Sequence, residues 1–255
     1  MSVNPLQYRL DGPSHAPVVL LVPPFGARMS VWEPQMPELI RGHRVLRIDH
    51  RGHGGSAVPP GPYRIEDLAL DLLSVLETEG ITRVSAVGAG LSSSLLVWIA
   101  VNSPRTIDRL VLLAPAPRTP RAHGWGRIAE RARTAGMEAV TADIVLPWFT
   151  PDMYEQSAEV ATALADDVAG LDPEGFASVC EALVDMDQRD LFPEVKAPTL
   201  VVSAAHDPLL PPGHGRRLAD GIADVRFEIV PGAAHLLGVE RPDRVNELLL
   251  EHITS

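Results

Sequence analysis

Cysteine is almost missing from this chain: Cys180 stands alone among 255 residues. A single thiol excludes an intramolecular disulfide and fits a reducing compartment, and with no motif around it Cys180 reads as buried packing. No apolar run approaches the ~20 residues that a bilayer-spanning helix requires. Met1-Ser2-Val3-Asn4-Pro5 has neither a basic region nor an apolar signal core. Positive charge is also short, with 22 Lys and Arg against 33 Asp and Glu and a net charge of −11. That balance argues against nucleic acid or an anionic membrane as partner and reads as an acidic solubilising surface. Internal repeats, low-complexity tracts, metal-ligand spacings and phosphate loops are missing too. Gly88-Ala89-Gly90 lacks the third glycine of a nicotinamide fingerprint. The expectation is a cytoplasmic protein with no metal, no cofactor and a small-molecule substrate. Its oligomeric state stays open.

Turning to what is present, the length suits one large α/β domain or two small ones, and the 45% apolar share is that of a globular protein. Strands are expected at Leu6–Leu10, Val18–Val22, Arg44–Ile48, Val84–Val87, Leu110–Leu113, Thr199–Ser203 and Arg226–Val230. Several are almost continuously apolar, as strands covered on both faces must be. Ile65, Leu68, Ala69, Leu72, Leu73 and Leu76 recur at helical spacing, and Gly80 ends that pattern. A last helix is expected from Pro242, with Val245, Leu248, Leu249 and Ile253 inward. The alternation predicts a largely parallel sheet with helices on both faces. It breaks between Arg118 and Asp190, a helical stretch carrying Trp125, Trp148, Phe149 and Phe176. The expected organisation is a core of residues 1–117 and 191–255 with residues 118–190 inserted as a helical lid.

Chemistry is concentrated in four places. Val84-Ser85-Ala86-Val87-Gly88-Ala89-Gly90-Leu91-Ser92-Ser93 has the strand–turn–helix setting of a nucleophile elbow, G-x-S-x-G. Gly90 stands where that motif has its serine, and Ser92 where it has its last glycine. A glycine adopts the strained central conformation at little cost, so the turn is retained while the nucleophile is absent. A deliberate serine-to-glycine replacement and a naturally diverged turn both give Gly90, and the altered Ser92 favours divergence. Val22-Pro23-Pro24-Phe25-Gly26 follows a strand and can offer a backbone N–H to an oxyanion, with Leu91 offering the second. Taken alone it is equally a Pro/Gly turn. Ser203-Ala204-Ala205-His206-Asp207-Pro208 carries an acid that can orient a histidine, or a common turn aspartate. Pro231-Gly232-Ala233-Ala234-His235 follows the last strand and supplies the general base that Asp207 would orient.

The chain resembles the α/β-hydrolase superfamily, most closely the 3-oxoadipate enol-lactonases, over nearly its whole length. The resemblance rests on Tyr8-Arg9-Leu10-Asp11-Gly12-Pro13, Arg44-Val45-Leu46-Arg47-Ile48-Asp49 and Arg51-Gly52-His53-Gly54-Gly55-Ser56. It continues through Pro59-Pro60-Gly61-Pro62-Tyr63, Trp148-Phe149-Thr150-Pro151 and Asp185-Met186-Asp187-Gln188-Arg189-Asp190. It implies an α/β-hydrolase fold with Asp207 as acid, His235 as base, and Phe25 and Leu91 as oxyanion donors. It places the family's serine on Gly90 and its following paired glycines on Ser92 and Ser93. It also implies a small carboxylated ring as substrate. Arg28 is a candidate partner for that carboxylate, or a solvated surface residue. Trp32, Trp148, Phe149 and Met186 are candidate pocket walls, or core.

Three functions compete. The first is an enzyme using His235 and Asp207 for proton transfer beside an oxyanion hole, without a covalent nucleophile: isomerisation, epimerisation, cyclisation, elimination or water-mediated hydrolysis. The second is an ester or lactone hydrolase whose nucleophile has moved to Ser92 or Ser93. The third is a ligand-binding protein that keeps the fold without the chemistry.

Overall fold

The computed structural model describes residues 6–120 and 124–254, so the reading of residues 1–5 lies outside the described residues. Strands β1 (Tyr8–Asp11), β2 (Val18–Val22), β3 (Arg44–Ile48), β4 (Val84–Ala89), β5 (Ile107–Leu113), β6 (Thr199–Ala204) and β7 (Val225–Val230) form one sheet. Its order is β1-β3-β2-β4-β5-β6-β7. β1 runs antiparallel to β3, and every other pairing is parallel.

Alternation along the strands sets up two apolar layers. Val19 and Leu21 of β2, Val87 of β4, Val111 and Leu113 of β5, and Leu200 and Val202 of β6 enter one layer. Leu20, Val22, Ala86, Leu110, Leu112 and Val201 enter the other. Helices must therefore cover both faces. α1 (Met36–Leu39) precedes β3, and α2 (Ile65–Thr78) and α3 (Ser93–Asn102) flank β4. α2 buries Leu68, Leu72 and Leu76 on the second layer, and Asp67 in its first turn accepts the Arg64 N–H at 3.0 Å. Gly80 at φ +65° lies just beyond its C-terminus.

Between β5 and β6 the chain leaves the sheet for α4 (Trp125–Ala135), α5 (Glu138–Val145), α6 (Pro151–Gln156), α7 (Ala158–Ala169) and α8 (Pro173–Val184). The two ends of this excursion meet in an antiparallel bridge, Arg118 opposite Asp187. Thr119 N–H donates to the Met186 carbonyl at 2.9 Å and Gln188 N–H to the Pro117 carbonyl at 3.0 Å. Ala132, Val140, Ile144, Trp148, Phe176 and Cys180 join the first apolar layer, so the excursion packs continuously onto the sheet domain. Cys180 is fully buried in α8, and burial pushes its thiol pKa up, away from the reactive thiolate. α9 (Pro212–Ala219) joins β6 to β7, and α10 (Leu237–Glu240) and α11 (Pro242–Ile253) close the chain. α11 starts at Pro242, whose missing N–H costs nothing in a first turn. Among the described residues no helix is long and apolar enough to cross a membrane.

Candidate active site

Ligands of open α/β sheets collect at the carboxyl ends of the strands. Pro24 and Phe25 follow β2, Gly90 follows β4 directly, Asp207 lies beyond β6, and His235 lies beyond β7. Gly90 opens a 3-10 turn, Gly90–Ser92, that leads into α3. Its φ of +62° is the left-handed conformation that favours glycine. A Cβ built on Gly90 would lie 2.9 Å from His235 Nε2 and 3.4 Å from Pro24 Cβ. The imidazole thus points its outer nitrogen at the side-chain position that Gly90 leaves unfilled. Its other nitrogen, Nδ1, lies 2.8 Å from Asp207 Oδ2. The remaining oxygen, Asp207 Oδ1, accepts the N–H groups of Leu209 at 2.8 Å and Leu210 at 2.9 Å. Burial acts to raise the Asp207 pKa. The charge and hydrogen bond of His235 and the two amides outweigh it, so the carboxyl sits below its ordinary range. An ionised Asp207 keeps the proton on Nδ1 and leaves Nε2 with a lone pair.

The Pro23–Gly26 loop is braced from beneath by two histidines. His50 Nε2 lies 2.8 Å from the Pro23 carbonyl, and Gly26 N–H donates to His53 Nε2 at 3.0 Å. Because Nε2 of His53 accepts, its proton is on Nδ1, facing the Arg51 carbonyl at 3.3 Å. Burial lowers the pKa of His50 to about 4, and burial together with the neighbouring His50 lowers that of His53 to about 3. Both rings are neutral at pH 7. The rest of the Arg51–Ser56 motif holds this brace. Arg51 forks onto Asp71 of α2 at 2.5 and 2.6 Å, and Ser56 Oγ donates to the Asp49 carbonyl at 2.6 Å. Gly52, at φ +75°, approaches Gly175 so closely that a Cβ would lie 2.6 Å from its Cα.

A pocket of about 610 Å³, counting its open mouth, begins at His235, Pro24, Phe25 and Leu91. Trp125, Ile128, Ile144, Trp148, Leu183, Leu209 and Leu210 make up most of its wall. Among the described lining residues the carboxylate is Asp143, which is ion-paired with Arg131.

Several sequence expectations need correction here. Of the candidate pocket walls, Trp148 lines this pocket. Arg28 does not: it sits in a separate polar surface cleft and pairs with Asp167 at 3.2 Å. Trp32 lines a second cavity that also reaches His235. Phe149 packs into the core and borders a surface dent with His206 and Pro208. Met186 is buried in the second apolar layer near the base of the helical excursion, beside a different cleft. Each is large and apolar or cationic near the right motif, but sequence proximity did not specify facing. Ser92 is fully buried and its Oγ donates back to the Ala89 carbonyl at 2.6 Å. Ser93 turns beneath the turn, its Oγ 3.4 Å from a Cβ built on Gly88. Neither hydroxyl is placed like a side chain at position 90.

The sequence reading missed Glu240. This buried carboxylate accepts the Ala234 N–H next to His235, and also the Thr150 N–H at 2.9 Å and hydroxyl at 2.7 Å. Leu236 N–H donates to the Trp148 carbonyl at 3.0 Å. The histidine loop is thereby tied on both sides to the segment that carries Trp148. The available signal was an acid directly after the apolar run Leu236-Leu237-Gly238-Val239. Trp125, Ile128 and Ile144 were missed as walls because helical periodicity does not reveal which helix overhangs the sheet. Among the described residues, no group of three or more His, Cys, Asp or Glu is placed to hold a metal ion.

Comparison with known proteins agrees with this architecture. Residues 19–248 match the model of the alpha/beta hydrolase family. The chain belongs to the α/β-hydrolase family. A 3-oxoadipate enol-lactonase from Acinetobacter baylyi is 30% identical over 241 residues, 94% of this chain and 90% of that protein. The crystal structure of the enol-lactonase from Burkholderia xenovorans LB400 superposes with a TM-score of 0.95 at 36% identity, covering 98% of this chain and 96% of that one. A malate-bound thermophilic esterase from Thermogutta terrifontis superposes with a TM-score of 0.92 at 26% identity, covering 98% and 93%. This α/β-hydrolase is a hydrolase-like enzyme, and its resemblance to the enol-lactonases extends over the whole sheet domain and the helical excursion.

Proposed function

We propose that this α/β-hydrolase carries out proton-transfer chemistry on a small carbonyl, lactone or ester compound, with His235 as general base and acid and no covalent nucleophile. The carrying observation is the 2.9 Å between His235 Nε2 and the unfilled side-chain position of Gly90. The base abuts the point where an elbow nucleophile would be attached, and no hydroxyl is attached there. His235 takes the proton through Nε2, and Asp207 stabilises the imidazolium through Nδ1. The amides of Phe25 and Leu91, both lining the pocket, are the proposed donors to the developing oxyanion. Residues 118–190 serve as a lid whose Trp125, Ile128, Ile144 and Trp148 exclude bulk water from the proton transfer. This machinery suits water-mediated hydrolysis, and equally enolisation leading to isomerisation, epimerisation, cyclisation or elimination. The burial and back-bonding of Ser92 and the turned-under Ser93 weigh against a relocated nucleophile.

The experiment uses δ-valerolactone and p-nitrophenyl acetate as hydrolysable probes and cyclohexanone as an enolisable one. Hydrolysis in ¹⁸O-water and deuterium exchange at the α-carbon in D₂O separate the two chemistries. Folded His235→Ala is expected to lose ~10²–10⁴-fold of whichever rate the wild type shows. A serine-directed fluorophosphonate is expected to leave the wild type unlabelled. Near-normal turnover in His235→Ala, or stoichiometric labelling at Ser92 or Ser93, overturns the proposal.

A further inference from the structure

A second cavity that also reaches His235 has no role in the scheme above, yet it carries unpaired polar groups. It is lined by Pro24, Trp32, Gln35, Ala89, Leu113 and His235, among others. Pro24 and His235 also line the main pocket. The chain neighbours of Gly90 divide between them, Ala89 lining this cavity and Leu91 the main pocket. Trp32 and Gln35 sit three residues apart on the 3-10 helix Met29–Gln35, whose three-residue turn stacks such positions on one face. Trp32 is 2% exposed and Gln35 0%. Trp32 Nε1 and Gln35 Oε1 have no hydrogen-bond partner within the protein, while Gln35 Nε2 is held by the Gly238 carbonyl at 2.8 Å. A buried donor and a buried acceptor left unpaired on one helix face are each destabilising unless something satisfies them. Apart from His235 the other lining side chains are apolar, so the guest is small, neutral, and both a donor and an acceptor.

We propose that this cavity is a hydroxyl-binding subsite: Trp32 Nε1–H donates to, and Gln35 Oε1 accepts from, one O–H group held beside His235. The inference rests on His235 acting as a base. In hydrolysis the guest is water: its oxygen forms the new bond to the carbonyl carbon and its proton passes to His235 Nε2. The C–O bond to the leaving group then breaks, and the departing oxygen recovers that proton. A small alcohol in the same seat gives ester exchange with the same balance. The subsite therefore holds the attacking oxygen beside His235, in a space that shares Pro24 and His235 with the apolar substrate pocket.

Crystals of the wild type that show ordered water are expected to place one oxygen within ~2.7–3.2 Å of both Trp32 Nε1 and Gln35 Oε1. A methanol soak separates the sources: a retained water marks a seat for water, and a methanol oxygen on the same two atoms marks one for alcohols. No oxygen bridging the two atoms overturns the proposal. Kinetics supply the second readout, with p-nitrophenyl acetate as probe. Trp32→Phe, which deletes the donor and keeps most of the ring volume, is expected to lower kcat about 3–10-fold with KM changed less than about twofold. Gln35→Met is expected to do the same. Unchanged kcat in both folded variants also overturns it. Failure here is separable from failure of the general-base reading. A dead His235→Ala with no bridging oxygen sinks the subsite alone, whereas an active His235→Ala sinks the base whatever the cavity holds.

Discussion

Gly90 combines a left-handed backbone at φ +62° with an imidazole nitrogen 2.9 Å from its absent Cβ, and those two facts make serine there informative. A side chain in that conformation costs ~1–2 kcal/mol, and His235 must withdraw by a few tenths of an ångström to admit the Cβ. The 2.8 Å bond to Asp207 tolerates such a shift, since N–H···O bonds hold to about 3.2 Å. Gly90→Ser is therefore expected to fold, to place Oγ against Nε2, and to be labelled stoichiometrically by a fluorophosphonate that ignores the wild type. A folded but inert Gly90→Ser would show that His235 is not poised toward position 90. At this scale the sequence was legible where roles follow chain order. Asp207 and His235 sit in loops after successive strands, and the structure brings them within hydrogen-bond distance of each other and sets His235 against Gly90. It was not legible where facing decides, which is why Arg28 turned to Asp167 and Trp32 turned inward.

Loops that carry the site are held by buried groups, and their loss should register in both stability and rate. Glu240→Ala strips the acceptor from the N–H groups of Ala234 and Thr150 and from the Thr150 hydroxyl. Buried donors abandoned in this way predict a loss of ~2–4 kcal/mol in denaturant unfolding, with kcat falling because the histidine loop is no longer fixed. Unchanged stability and kcat would remove Glu240 from the positioning of His235. The histidine brace under Pro23–Gly26 predicts a pH dependence. His50 and His53 titrate near 6.5 when unfolded and at about 4 and about 3 when folded. Below pH 6.5 the unfolded state binds protons that the folded state refuses. Stability is thus at its full value above that pH and declines as pH falls toward 3, by up to ~1.4 kcal/mol per pH unit for each ring. His53→Gln, which keeps an acceptor for Gly26 N–H, should flatten that slope, as unfolding across pH 4–7 will show. Such braces are invisible to pattern reading: Arg51-Gly52-His53-Gly54 announces a motif, but nothing in it says that His53 accepts from Gly26.

For the whole molecule, the apolar runs were enough to find the strands of the described sheet, most directly β2 to β6, because a strand buried on both faces has few other ways to read. The strand ends shifted where pairing extended a run, as in β5, which begins at Ile107 rather than Leu110 because Val84 pairs with Ile107. The helices between Trp125 and Val184 were legible as helical but not in their packing, since their partner surface lies far away in sequence. The same scale bears on substrate charge. The molecule carries a net charge of −11, and the described pocket lining holds no cation other than a protonatable His235. An anionic substrate is repelled during approach and finds no partner on arrival, unlike the carboxylated rings that the enol-lactonase resemblance implies. δ-Valerolactone is therefore expected to show a higher kcat/KM than a carboxylated analogue of the same ring. Raising the salt from low ionic strength to 0.15 M, where the Debye length is ~8 Å, should speed the carboxylated substrate and leave the neutral one unchanged. Ile128→Arg, at a half-buried wall position, should raise kcat/KM for the carboxylated ring by supplying the missing counter-charge. A wild type that prefers the carboxylated ring at every ionic strength would place a cation at the pocket that the described walls do not contain.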